Sequence, residues 1–547
     1  MKRIFITIVL VGCFFSAKAQ GLLNDNVKQF THQDTLRGSI TPERAWWDLT
    51  YYHLEVDVNP NERSIKGKNT ILYQVLEEKS VMQIDLQAPL KITKAVQDNQ
   101  ELDIKHDGNA HFITLKKHQK MGDINAVEVF YEGHPRTAKH APWDGGFSWS
   151  KDKNGQPFVA TSCQGLGASA WWPCKDHMYD EVDSMDISIT VPKGLVDVSN
   201  GRLKNKEEHQ NSTTFNWTVK NPINNYGVNI NIGDYVNFSE VYKGEKGDLD
   251  MSYYVLRDNL DKAKEQFKQA PKMMEAFEYW FGPYPFYQDS YKLVEVPYLG
   301  MEHQSSVTYG NRFKNGYLGM DLSGTGWGKK FDFIIIHESG HEWFANNITY
   351  KDIADMWIHE SFTAYSENLY LNYYYGKEAS ADYVIGTRHA IKNDRPIIGV
   401  YDVNHEGSGD MYYKGANMLH TLRQLVDDDM KWRQILRGLN KTFYHQTVST
   451  RQIETYLSDR TGIDLTEFFN QYLRDTRVPT LEYKIKNKTL HYRWINSVDG
   501  FDMPIRLTID GKQQWIQPNK AWQSLQLKAD PDKLVVDRNF YVLTKRS

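Results

Sequence analysis

Cysteine is nearly absent: the 547 residues hold three, at positions 13, 163 and 174. That excludes a disulfide-built scaffold, which needs many cysteines in a short chain. Apart from residues 4–15, no stretch is long and apolar enough to cross a bilayer as a helix, which takes about 20 residues. No block of lysine or arginine stands out and the formal net charge is −4, so a nucleic-acid partner is not expected. No internal repeat or low-complexity tract stands out either.

What remains is ordinary globular composition, 40% hydrophobic and 24% charged. It is enough material for several cores, and the length suggests about three domains. Lys2 and Arg3 precede the apolar run, and Ala17-Lys18-Ala19 makes a small-x-small cleavage site before Gln20. Residues 1–19 therefore read as a secretory signal peptide, with the product periplasmic or secreted. Leu10-Val11-Gly12-Cys13 also resembles a bacterial lipobox, which would place a lipid anchor on Cys13; simple cleavage is preferred because the apolar run continues to a good site. Losing Lys2, Arg3 and Lys18 takes the charge from −4 to −7. Cys163 and Cys174 would then remain, eleven apart, able to pair in an oxidising compartment or to stay as thiols.

Hydrophobic patterning divides the mature chain into three. Residues 20–256 alternate as strands do, as in Tyr51 to Val58 and Met185 to Val191, and turns such as Asp107-Gly108-Asn109 punctuate them. This predicts a β-sandwich-like domain. Residues 257–477 turn helical: a helix over 259–281 kinked or divided at Pro271, another over 356–375 stopped by Gly376, and others over 412–426, 432–443 and 450–458, the last capped by Ser449. Residues 478–547 return to strands. The fold class is a multidomain α+β protein.

The chemistry is concentrated in His337-Glu338-Ser339-Gly340-His341, with Glu360 after eighteen intervening residues. Histidines four apart on a helix share one face, so His337 and His341 could reach one metal. Glu360, on a second helix, would complete a two-histidine, one-carboxylate set that leaves a fourth tetrahedral position for water, the arrangement of catalytic zinc. Glu338, beside the first ligand, could act as general base. Glu367 lies seven residues beyond Glu360 on the same face; it could orient a ligand histidine, but an exposed or core-edge carboxylate is the plainer reading.

These residues and their surroundings resemble the gluzincin aminopeptidases, the family of aminopeptidase N and leukotriene hydrolase. HESGHEWFAN, beginning at His337, is similar to the family's HExxHxWFGN. DMWIHESF, beginning at Asp355, is similar to DLWLNEGF, with His359 for Asn and Ser361 for Gly. Gly300-Met301-Glu302-His303 looks like the GxMEN exopeptidase motif, with the glycine displaced by one position and His303 for Asn. Tyr412-Tyr413-Lys414-Gly415-Ala416 looks like YxKGA, and Thr161 to Asp176 is similar to the N-terminal-domain segment that enters the family's active site.

The resemblance implies a thermolysin-like, mostly α catalytic domain, a small C-terminal β-sandwich, and one zinc ion held by His337, His341 and Glu360. It implies that Glu302, assisted by Gln164, binds the substrate's free α-amino group, and that Tyr412 steadies the oxyanion. The substrates would be peptides with a free N-terminus. Many relatives carry a further helical domain over the active site, and the resemblance implies a short form without it. Three alternatives stay open: an endopeptidase with the same zinc chemistry, an epoxide hydrolase side activity, and a catalytically silent zinc-binding scaffold. Trp171 and Trp172 read as core packing.

Overall fold

The computed structural model describes residues 29–528, 531 and 533–547. The signal peptide, its cleavage site and Cys13 lie outside the described residues. The expected order, strands, then helices, then strands, is the one observed.

The N-terminal region is built on an eight-stranded sheet. The strand Trp47–Asn59 sits inside it, parallel to Ser184–Pro192 and antiparallel to Ser64–Val75. Its residues alternate between buried and partly exposed, the signature of a sheet with one face on a core. Trp47, Tyr52, Trp171 and Trp172 are fully buried in that core, the last two as read from the sequence. Cys163 and Cys174 are buried there as free thiols, which settles the open pairing. Burial pushes both thiols well up, so neither is a ready nucleophile. A second, four-stranded sheet contains Pro157–Ser162, whose end delivers Gln164 to the catalytic region.

The middle region opens with a five-stranded sheet that includes β1 (Tyr291–Glu295), β2 (Gly300–Met301) and β3 (Val307–Tyr309). β2 is its edge. Two helices precede it, Leu260–Gln266 and Gln269–Phe281. The expected division at Pro271 falls earlier, around Phe267-Lys268. Pro271 lies in the first turn of the second helix, where a missing N–H breaks no intrahelical bond.

The helices that matter for the site are α1 (Phe333–Gly340), α2 (Trp357–Gly386) and α3 (Tyr413–Val426). Gly376 stops the first helical stretch of α2, as expected: it is non-helical at φ 87° and ψ 179°, and a second helical stretch follows to Gly386. A side chain rarely tolerates that φ, which is why the break falls on glycine. Between α1 and α2 runs β4 (Ile348–Tyr350).

The C-terminal strands form a four-stranded and a three-stranded sheet. Trp494 and Phe501 join the same core as Trp280 and Trp357, so these strands are packed onto the helices. Buried asparagines tie the N-terminal β region to the helical one: Asn200 Nδ2 donates to the Gln304 carbonyl at 2.7 Å and Asn224 Nδ2 to Asn346 Oδ1 at 3.2 Å. Tyr298 also donates across, to the Thr161 carbonyl at 2.7 Å. The last of these bonds anchors the chain three residues before Gln164.

Candidate active site

Asp332 starts α1 by accepting from the Ile334 and Ile335 N–H groups, a side-chain cap on two otherwise unpaired donors. The apolar run Phe333 to Ile336 is buried and sinks the helix into the core. His337 and Glu338 therefore emerge in its last turns, and His341 caps its end. α2 approaches closely at Gly340, where a Cβ would stand 2.6 Å from Ser366 Oγ. Glycine leaves room for that approach, which brings Glu360 and Glu367 alongside the two histidines.

Each histidine has one nitrogen committed and one free. His337 Nδ1 pairs with Glu367 Oε1 at 2.7 Å, and Tyr383 donates to the other Glu367 oxygen at 2.5 Å. His341 Nδ1 donates to the Phe344 carbonyl at 3.0 Å. Their Nε2 atoms face Glu360 Oε2, at 3.8 Å from His337 and 3.5 Å from His341. Glu360 Oε2 is buried with no hydrogen-bond partner, although a buried carboxylate oxygen ordinarily has one. The three side chains offer ligand atoms all within 4.8 Å of one another. Two bare imidazole nitrogens and an unpartnered carboxylate oxygen fit a divalent metal and little else.

The charges agree. Burial alone would raise the Glu360 carboxyl, but His341 and His337 outweigh it and hold it down at about 2. Burial pushes Glu338 up to about 7, with His337 opposing and Glu360 adding to the rise. Glu338 is thus the carboxylate able to gain and lose a proton near neutrality. Tyr412, half-buried at the start of α3, lies over His337 with ring centroids 6.1 Å apart. Burial and then the charge of Glu360 raise its hydroxyl, which keeps it a donor.

Glu302 follows β2. Although it follows an edge strand, its side chain is buried, 2% exposed. Gln164 Nε2 donates to its Oε1 at 2.6 Å and also to Glu360 Oε1 at 3.0 Å. Glu302, Glu338 and His341 also bring their polar atoms within 4.8 Å of one another. All seven residues singled out in the sequence are thus in one place.

Comparison with known proteins agrees with this geometry. The description "Peptidase family M1 domain" matches residues 265–472, and "Peptidase M1 N-terminal domain" matches residues 49–226. The chain belongs to peptidase family M1.

Among relatives of this M1 chain, a leucyl aminopeptidase of Saccharolobus solfataricus is 22% identical over 89% of the chain and 62% of its own length. An aminopeptidase N of Lactococcus lactis is 22% identical over 80% of the chain and 52% of its own length. The chain thus spans about half to three fifths of these relatives. The M1 zinc metallopeptidase from Deinococcus radiodurans has the same fold, with TM-score 0.66 and 20% identity over 78% of this chain and 93% of that one.

The departures of this M1 chain from its family's motifs fare differently: the side chains of Ser361 and His359 are paired, whereas His303 leaves Nε2 buried without a partner. Ser361 Oγ donates to the Met411 carbonyl at 2.7 Å, tying α2 to the residue before Tyr412. His303 is buried, with Nδ1 3.3 Å from Thr308 Oγ1. His359 is fully buried beside Tyr350 and Tyr226. Glu367 is the correction: it is 1% exposed and holds a ligand histidine, so the exposed or core-edge reading is overturned. Tyr226 was not foreseen. It donates to Glu302 Oε1 at 3.2 Å, and nothing local marked it among 33 tyrosines.

Proposed function

We propose that the chain is a zinc aminopeptidase that releases N-terminal residues from peptides. The observation that carries this is the buried Glu302 carboxylate, fixed by Gln164 and Tyr226 beside the His337, His341 and Glu360 set. A carboxylate there adds nothing to hydrolysis itself. It offers a counter-charge to an ammonium and sets how far the peptide can enter, which limits cleavage to the first bond.

His337, His341 and Glu360 would hold the zinc, whose donor set of two nitrogens and one oxygen leaves a position open. When bound, zinc supplies Lewis acidity toward the scissile carbonyl and the attacking water. Glu338 takes the proton from that water and passes it to the leaving amine. Tyr412 donates a hydrogen bond to the oxygen on which negative charge develops. Gln164 bridges Glu302 and Glu360, so the amine anchor and the ligand carboxylate keep a fixed separation.

The test is hydrolysis of aminoacyl-aminocoumarins by the mature chain, with and without a zinc chelator and beside N-acetylated controls. Chelator-sensitive cleavage of the free-amine substrates alone is expected. Cleavage of the capped substrates would remove the role given to Glu302, and no cleavage by a zinc-loaded protein would favour a silent scaffold.

A further inference from the structure

Tyr226 fixes Glu302, and behind it His359 connects the backbone of β4 to that carboxylate. The Tyr350 N–H donates to His359 Nε2 at 2.9 Å. A backbone amide only donates, so Nε2 presents a lone pair and the ring proton sits on Nδ1. Nδ1 faces the Tyr226 oxygen at 3.5 Å. The phenol therefore accepts from His359, and its own single proton goes to Glu302 Oε1 at 3.2 Å. Every donor in this chain of contacts points the same way, toward Glu302.

The arrangement is held rigidly. His359 is fully buried, and the Tyr350 ring lies against it with centroids 4.2 Å apart. Asn346 Nδ2 donates to the Glu302 carbonyl at 2.9 Å and fixes the backbone beneath the carboxylate. Gln164 and Tyr226 both address Oε1. Among the described residues, no hydrogen bond from another side chain reaches Oε2. The carboxylate is thus gripped by one oxygen and offers the other.

We infer that Tyr226 and His359 form a one-directional hydrogen-bond relay that keeps Glu302 oriented as acceptor for the substrate's ammonium group. Both are positioning residues for recognition of the free N-terminus. If the relay ran the other way, Tyr226 would turn its lone pairs on the carboxylate and weaken the anchor. The backbone N–H of Tyr350 forbids that by fixing the imidazole tautomer. The inference rests on the reading of Glu302 as the amine anchor.

Tyr226→Phe removes one hydroxyl and leaves the ring. It is expected to raise KM for a free-amine aminoacyl substrate about tenfold while changing kcat less than about threefold, the size of one lost hydrogen bond to a charged group. Zinc content should stay at the wild-type value, and Tm should fall because the buried His359 Nδ1–H loses its acceptor. His359→Leu should give the same split. His359→Gln, whose amide keeps one acceptor and one donor, should recover most of the affinity, which a purely packing role would not predict. Histidine-selective nitrogen-15 NMR, assigned by the signal lost in His359→Gln, should show Nδ1 protonated and Nε2 bare, and it requires no turnover. A wild-type enzyme that cleaves amine substrates, paired with a Tyr226→Phe variant of unchanged KM, overturns the relay and leaves the aminopeptidase reading standing. A wild-type enzyme without such turnover overturns that reading instead, and a proton found on Nε2 then overturns the relay as well.

Discussion

Replacing Glu367 by glutamine tests whether the carboxylate behind His337 tunes the metal site. The pair is short, 2.7 Å, and both residues are nearly inaccessible to water, so the bond is charge-assisted in a low-dielectric setting. Glutamine keeps the shape, can still accept from His337 Nδ1, and loses the charge. Loss of such outer partners weakens metal binding by about 10- to 100-fold, or about 1.4–2.8 kcal/mol. A second effect opposes the first. In the metal-free protein burial lowers the His337 proton affinity, but Glu360 and Glu367 outweigh it and raise it well above the ordinary histidine value. That proton must leave before a metal binds, so Glu367 strengthens the ligand and its competitor together. Below the raised pKa the two effects offset each other. Above it only the ligand effect remains. The gap in zinc affinity between wild type and Glu367→Gln should therefore widen as pH rises from the ordinary histidine range upward. Competition with a chromophoric chelator across that range measures it. Equal affinities at every pH, or a gap that narrows as pH rises, would refute the argument.

Glu338→Gln should keep its zinc and its Tm but lose turnover by at least about 100-fold, the loss expected for a positioned base; metal analysis beside a rate assay checks both. Lys292, 2% exposed, has its ammonium lowered by burial from 10.5 to about 7. Between those values the unfolded chain holds the extra proton, so raising the pH through this window favours the fold, and Lys292→Met should flatten the rise in Tm across it. Ala345 adopts φ 157°, inside the region that favours glycine, and it stands where the family pattern has glycine. Ala345→Gly should therefore raise stability by up to about 1 kcal/mol, read as an upward Tm shift.

The His337, His341 and Glu360 set was legible because two regular helices carry it. A spacing of four on one helix fixes His337 against His341 whatever surrounds them, and Glu360 falls in a stretch that resembles a family motif. Glu367 lay on the right face by the same periodicity, but its burial was not in the pattern. It depends on α1 and α2 meeting at Gly340, a tertiary contact that an amphipathic reading of either helix alone does not contain. The division before Pro271 was misplaced for a local reason: proline looks like a breaker until its position in the first turn is known. The free thiols of Cys163 and Cys174 could not be settled by a spacing of eleven, because pairing depends on where the loop between them runs.

The amine end of the site was the least legible part, and the reason is structural. Hydrolysis needs residues of one region, all carried between α1 and α3. In the proposed reading, the choice of which bond is cut would depend on Gln164 and Tyr226, delivered from the N-terminal β region, and on a histidine whose tautomer is set by the backbone of β4. No periodicity spans those three sources, so only the family motif pointed to Glu302, and nothing pointed to its second donor. It follows that changes at Tyr226 and His359 should alter amine recognition while sparing the metal, whereas changes at Glu367 should reach the metal and changes at Gln164, which also donates to Glu360, should reach both. The Tyr226 and Glu367 variants, compared for KM and for zinc affinity, separate those two consequences.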